Sequence, residues 1–414
     1  MFKVQNLLII WLWLCTKLFT NAFKFNEILS SKMVEFQWPD METRARAEMN
    51  GLYIPGHNVP LGLDRWNDKL FITVPRWKNG GASSLNYVDL KRIGENKSLP
   101  LIPYPNWDAN TLPTDDNINP SKIINTFRVK VDECDRLWIM DAGKTDVFSE
   151  KPALFLPPGI VIYDLKTDQF IRRHHFDEKD VKDESFFTNI VIDTDKDNCD
   201  QAFAYITDPN AQGLMVYSYA ADDSWRVEHH FFHFDPLNGD FNVGGVNFQW
   251  SDGVFGLALS PKNADGYRTI YFHPTASTKE FTVSTEVLQN KTAALSEEKY
   301  YQFKFIGERG MNTHSSTSVM DPYSGVIFYS QIQRDGIACW NTKRPLNPES
   351  FHLIIHNPQT MVFANEVKID QDNNIWMMSN RMPQFLYKQL NFDDINFRIF
   401  MSPVNDILTD SPCV

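Results

Sequence analysis

The chain has 414 residues, 43% of them apolar and 14% aromatic, with a formal net charge of −12. That much core-forming material excludes a disordered chain. The acidic balance, with no Lys/Arg-rich run, argues against nucleic acid or anionic membrane as partner and favours neutral or cationic small ligands.

At the N-terminus Lys3 precedes an apolar run from Leu7 to Cys15, and Thr20-Asn21-Ala22 supplies small residues. This reads as an export signal over residues 1–22, cleaved after Ala22. Lys17 ends the run well short of the ~20 apolar residues that a membrane span requires. The mature chain, residues 23–414, is therefore expected to be secreted and extracellular. Cys15 leaves with the signal, and Cys134, Cys199, Cys339 and Cys413 remain. An even number of cysteines in an exported chain implies two disulfides. Asn96-Lys97-Ser98 and Asn290-Lys291-Thr292 are acceptor sequences for N-glycosylation.

Further along, one pattern recurs six times: an apolar residue, a polar turn, then a β run ending in Asp, Ser, Pro or Asn. It occupies residues 63–75, 131–141, 192–208, 259–274, 320–331 and 369–380. The runs centre near Ile72, Ile139, Ile206, Tyr271, Phe328 and Trp376, at intervals of roughly 50 to 70 residues. Third strands are expected at SSLNYVD, GIVIYDL, GLMVYSY, GIACWNT and QFLYKQL, and outer strands at QFIRRHHFD, WRVEHHFFHFD, KYYQFKF, SFHLIIH and NFRIFMSP. Six repeats of four short antiparallel strands predict an all-β, six-bladed β-propeller forming one domain. MVEFQW (33–38) is expected to close the ring as an edge strand on the last blade. Cys134 and Cys199 occupy equivalent turns of consecutive units, so the repeat pairs them and leaves Cys339 for Cys413.

Beyond the repeat, EFQWPDMETRARAEMNGLYIPGHNVPLGLDRWNDKLFITVPRWKNGGASSLNYV closely resembles the opening of the insect yellow and major royal jelly protein family. FRVKVDECDRLWIMDAG, FAYITDPNAQGLMVYSY, VKIDQDNNIWMMSNR and the YFHP block extend the resemblance over essentially the whole mature chain. It implies a secreted propeller with a ligand site in its central channel. Some members convert dopachrome during melanin formation, whereas others bind biogenic amines or serve as secreted nutrient proteins. Membership alone does not choose among these.

The innermost strand of each blade flanks the axis, so its first residues mark one mouth of the channel. Those segments contain His57, Phe127, Arg128, Asn189, Asp252, His314, Thr317, Phe363, Asn365 and Glu366. Polar groups converging among aromatics describe a small-molecule pocket. Glu366, the single Glu in the set, is the candidate general base or ammonium counter-ion, with an ion pair to Arg128 as the structural alternative. His57 and His314 are the candidate imidazoles. Asn189, Asn365, Thr317, Phe363, Phe127 and Arg128 are candidate ligand contacts. His174-His175 and His229-His230-His233 read as solvated residues of outer strands rather than metal ligands. No H-E-x-x-H, G-x-S-x-G or phosphate loop is present, so protease, hydrolase and nucleotide readings lack support.

Three readings follow. A tautomerase for dopachrome-type indole-quinones needs a base, a donor to oxygen and a shaped pocket, with no cofactor. A non-catalytic binder would hold an amine by a carboxylate and aromatic faces. A calcium-dependent lactonase-like propeller would gather Asp252, Asn189, Asn365 and Glu366 on one ion, and ranks last. The partner expected is a small aromatic molecule (dopachrome, a catecholamine or an indoleamine), bound by a monomer.

Overall fold

The computed structural model describes residues 25–114, 118–409 and 411–414; the expected export signal and its cleavage point lie outside them. Six four-stranded antiparallel sheets follow one another around an axis. Blades 1 to 5 begin on the inner strands Leu63–Trp66, Thr126–Val131, Ile190–Asp193, Val254–Leu259 and Ser318–Met320, and blade 6 on Ala364–Ile369.

The polar turn in blades 2 to 6 is an acid-anchored device. In blade 2 the Asp132 carboxylate accepts from the backbone N–H of Cys134 and Arg136 at 2.9 Å and from the Trp138 indole at 2.7 Å. Asp370 repeats the arrangement in blade 6 with Asp372, Asn374 and Trp376. Arg65 of blade 1 then reaches Asp370 at 2.8 Å, which ties the first blade to the last. The carboxylate satisfies turn N–H groups that the four-residue reversal leaves without a ladder partner.

Both disulfides form as the repeat pairs them. Cys134–Cys199 joins blades 2 and 3 with Cα atoms 5.9 Å apart, and Cys339–Cys413 pins the C-terminus to blade 5 at 6.2 Å.

The ring closes differently from expectation. Asn26–Ser31, not residues 33–38, supplies the outer strand of blade 6, pairing with Phe397–Pro403 from Asn26↔Met401 to Ser31↔Phe397. The MVEFQW segment crosses instead to blade 1, where Leu101 donates to the Glu35 carbonyl at 2.7 Å and Gln37 donates to that of Leu101 at 2.8 Å. One N-terminal stretch thus clips both sides of the seam. Phe397–Pro403 is consequently the third strand of blade 6 rather than the fourth, and QFLYKQL is not a strand. Residues Met382–Tyr387 form a short helix. Arg381 turns left-handed at φ 48° and Pro383 has no N–H for a ladder, so a strand cannot run through them. Two strands carried too weak a pattern to be read: Ile102–Pro103 in blade 1 and Lys279–Ser284 in blade 4.

The histidine clusters also need correction. His175 is exposed, but His174 packs 4.6 Å from the Tyr217 ring and meets Ser224 Oγ at 2.9 Å in the seam between blades 2 and 3. His229 is buried, accepts from the Phe231 N–H at 3.1 Å and stacks on Phe303 at 4.2 Å. Both serve packing: His174 from the outer strand of blade 2, and His229 from the cap of the turn His230–Phe232 that follows the outer strand of blade 3, while His230 and His233 are exposed.

Candidate functional site

The first residues of the inner strands open onto a cavity of about 640 Å³, within the range of small-molecule sites. Two aromatic walls enclose it. Trp77, Phe127, Phe148 and Phe186 form one, with Trp77 5.5 Å from Phe127 and Phe127 edge-on to Phe186 at 4.6 Å. Trp250, Phe363 and Tyr387 form the other; Trp250 lies edge-on to Phe363 at 5.9 Å and donates its indole N–H to the Tyr387 hydroxyl at 2.6 Å. The second wall depends on the unforeseen helix, which carries Met382, Leu386 and Tyr387 to the rim.

Phe363 holds a left-handed backbone at φ 55°, a conformation costly for a bulky side chain. Of the recurring phenylalanines, Phe127, Phe255 and Phe363 face the cavity. Phe187 packs against Phe176 at 4.9 Å instead, and its neighbour Phe186 takes the cavity position.

The floor is a buried ion pair. The Arg128 guanidinium, 1% exposed, engages the Glu366 carboxylate, 0% exposed, and donates to the Asn365 carbonyl at 2.8 Å. Its carbon lies 5.6 Å from the centre of the Phe255 ring. Arg128 and Asn365 line the cavity, whereas Glu366 lies behind them. The structural alternative for Glu366 is therefore what its contacts show. Asn365 donates its amide to the Leu61 carbonyl, and its Oδ1 is buried with no hydrogen-bond partner.

The remaining sequence candidates lie outside this cavity. Thr317 accepts from the Val367 N–H at 3.0 Å. Asn189 donates to the Phe255 carbonyl at 3.0 Å and accepts from the Ile190 N–H at 3.0 Å. His314 contacts the Asn238 carbonyl at 3.0 Å and the Gln333 amide at 2.7 Å, and burial pushes its pKa down to about 4. His57 borders a smaller hollow beside Lys78 and Phe385, its Nδ1 3.0 Å from the Asn79 carbonyl. Asn96 and Asn290 are both exposed, and Asn290 caps a short helix by accepting from Ala293 N–H at 3.0 Å.

Asp252 is the carboxylate that sequence reasoning undervalued. It lines the cavity, makes no side-chain hydrogen bond or ion pair among the described residues, and burial pushes its pKa up to about 6. Around the same space Trp77 Nε1, Arg128 Nε and Thr275 Oγ1 are buried without hydrogen-bond partners among the described residues. A base of near-neutral pKa and several unspent donors thus share one aromatic-walled space. The signal was weak: Asp252 stands in one of the six mouth segments, but nothing local shows that it lacks a cation.

Calcium fits poorly. Glu366 is taken by Arg128, Asn189 is spent on backbone, and no three His, Cys, Asp or Glu side chains cluster for a metal among the described residues.

Residues 124–413 match the major royal jelly protein family. The chain is 38% identical to protein yellow of Drosophila yakuba over 396 residues, which is 95% of this chain and 71% of that one. Against protein yellow of Drosophila erecta it is 39% identical over 95% of the chain and 71% of the relative, and against that of Drosophila melanogaster 38% over the same shares. No helix among the described residues is long and apolar enough to cross a membrane. With the propeller, both disulfides and this similarity along nearly its full length, the chain belongs to the yellow and major royal jelly protein family.

Proposed function

We propose that this is an exported protein of pigment chemistry, which tautomerises a dopachrome-type indole-quinone in the aromatic-walled cavity with Asp252 as the base. The observation that carries the reading is the unpaired Asp252 carboxylate, raised toward neutrality, in a cavity walled by aromatic rings. In such a tautomerisation the base removes a proton from a ring carbon. The electron pair moves into the ring, and a quinone oxygen gains a proton to become a hydroxyl. Asp252 suits the first task, and Arg128, Trp77 and Thr275 supply unspent donors for oxygen. The flat ligand would lie between the Trp77–Phe127 and Trp250–Phe363 walls.

Purified protein is mixed with dopachrome and the loss of its colour followed. Asp252→Asn keeps the shape and removes the basic oxygen, so turnover is expected to fall about 100-fold or more, with KM little changed. Unchanged turnover in this variant sinks the assignment.

The same carboxylate favours one second reading, a non-catalytic amine binder in which Asp252 is the counter-ion and the rings cage an ammonium. Titration with dopamine and serotonin separates the two. A binder holds both amines, loses them in Asp252→Asn and never bleaches dopachrome.

A further inference from the structure

The opposite mouth of the channel, where the inner strands end, holds a second cavity of about 450 Å³. The Arg128–Glu366 pair lies between the two cavities, since Arg128 and Asn365 border the first, and Lys130 and Lys368 the second.

The charges along this axis do not balance. Arg128 is matched by Glu366, and Lys130 by Asp64 at 2.9 Å. Two buried acids of the rim are spent: Asp132 on Arg136 and Trp138, Asp370 on Arg65 and Trp376, while Glu133 stands exposed at its edge. Arg268 is likewise held by Asp193 at 2.7 Å. Lys368 is 6% exposed and lines the cavity, yet its ammonium meets no hydrogen-bond acceptor or ion-pair partner among the described residues. Two hydroxyls on the same lining, Ser318 Oγ and Thr194 Oγ1, are buried in residues each 5% exposed and are also without partners. Such groups are costly to bury unless something receives their hydrogen bonds.

We propose that this mouth is a second ligand site, for a small organic monocarboxylate. Its carboxylate is received by the Lys368 ammonium and the Ser318 and Thr194 hydroxyls, and its apolar body rests on Ile192, Val319 and Ile369. Exposed Lys196 and Glu133 on the outer rim carry opposite charges, so buried Lys368 leaves a single positive excess that calls for one negative charge, and a dianion such as phosphate would overshoot it. The apolar strand residues between the donors suit a hydrocarbon body rather than a bare ion. Burial also pulls the Lys368 pKa down, a penalty that a bound anion relieves.

Benzoate serves as the probe, with benzamide as its neutral counterpart, each titrated calorimetrically into the full chain. Benzoate is expected to bind saturably and benzamide at least about tenfold more weakly. Lys368→Met is expected to weaken benzoate about tenfold or more while melting at or above the wild type, because it removes an unpaired buried charge. Ser318→Ala should weaken it several-fold. Benzoate affinity should survive Asp252→Asn, which places the binding away from the aromatic cavity and keeps this test separate from the tautomerase one. Four results overturn the proposal: no saturable binding at about 10 mM benzoate, equal binding of benzamide, full affinity in Lys368→Met, or a Lys368→Met protein that melts well below the wild type.

Discussion

Asp252 owes its position to the residue that follows it. A Cβ on Gly253 would come within 2.4 Å of the Phe232 carbonyl oxygen and 3.0 Å of that of Pro209. Gly253 also donates to Pro209 at 2.9 Å and accepts from Thr275 at 2.9 Å. Gly253→Ala must therefore move backbone. It is expected to cost about 1–3 kcal/mol of stability and to lower dopachrome turnover even in the folded fraction, checked by chemical denaturation beside the colour assay. A carboxylate that must be ionised to act also sets a pH profile. Turnover is expected to rise with pH through about 6 and level off above, and Asp252→Asn should abolish that limb. The stability term has the opposite sense. The folded protein holds this proton more tightly than the unfolded chain, so the contribution is present below the usual carboxylate value and lost as pH rises through about 6. Glu366 drew notice in the sequence as the lone Glu of the mouth segments. The sequence also offered Arg128 as its ion-pair partner, and only the contact across the channel decided for that pair over a free carboxylate.

Among the elements, the seam between blades 6 and 1 carries the most consequence. Hydrogen bonds to Asn26–Ser31 cover the edge of Phe397–Pro403, and residues 35–37 hold the rim of blade 1. Deleting residues 26–31 from the mature chain is expected to leave an open strand edge. The variant should melt several degrees lower and gain soluble aggregates, as followed by calorimetry and light scattering; an unchanged melt would mean that the Arg65–Asp370 link and the Cys339–Cys413 bond suffice. Blade 4 has its own lock. Glu280, fully buried, receives Arg309 at 2.5 Å and His273 at 3.1 Å. Glu280→Gln leaves Arg309 as a buried charge without its counter-ion, and about 3–5 kcal/mol of stability should be lost.

For the whole molecule, the disulfides span 65 and 74 residues. Each is expected to contribute about 4 kcal/mol by restricting the unfolded chain, measurable as the shift in denaturant midpoint on reduction. Acid should act on the intact fold through its buried imidazoles. Burial holds His229 and His314 down to about 4. A depressed histidine stays neutral in the fold but takes a proton when unfolded. Stability is therefore expected to fall as pH drops from the ordinary value of about 6.5 toward 4. Asp252 works against this trend over part of the window, and two histidines outweigh one carboxylate. His314→Gln should flatten the acid limb of a melting-temperature series.

What the sequence by itself determined is everything carried by short range. Turn acids such as Asp132 and Asp370, strands alternating between two faces, and cysteines at equivalent turns are local, and they yielded six blades and both disulfides. The same local signal also marked the mouth segments that supply Phe127, Arg128, Asp252, Phe363 and Asn365 to the cavity. Only the tertiary structure decided the pairings between remote segments. Asn26–Ser31 has little apolar pattern and becomes a strand because Phe397–Pro403 offers it an edge. QFLYKQL has the bulky residues of a strand, yet Arg381 and Pro383 start the helix that runs into it and completes an aromatic wall. Which carboxylate is free was likewise settled across the channel, where a guanidinium from blade 2 takes Glu366 and no described residue pairs with Asp252. A charge's availability depends on every group around it in space, and a strand's partner on which edge lies open; neither is written in a residue's own neighbours.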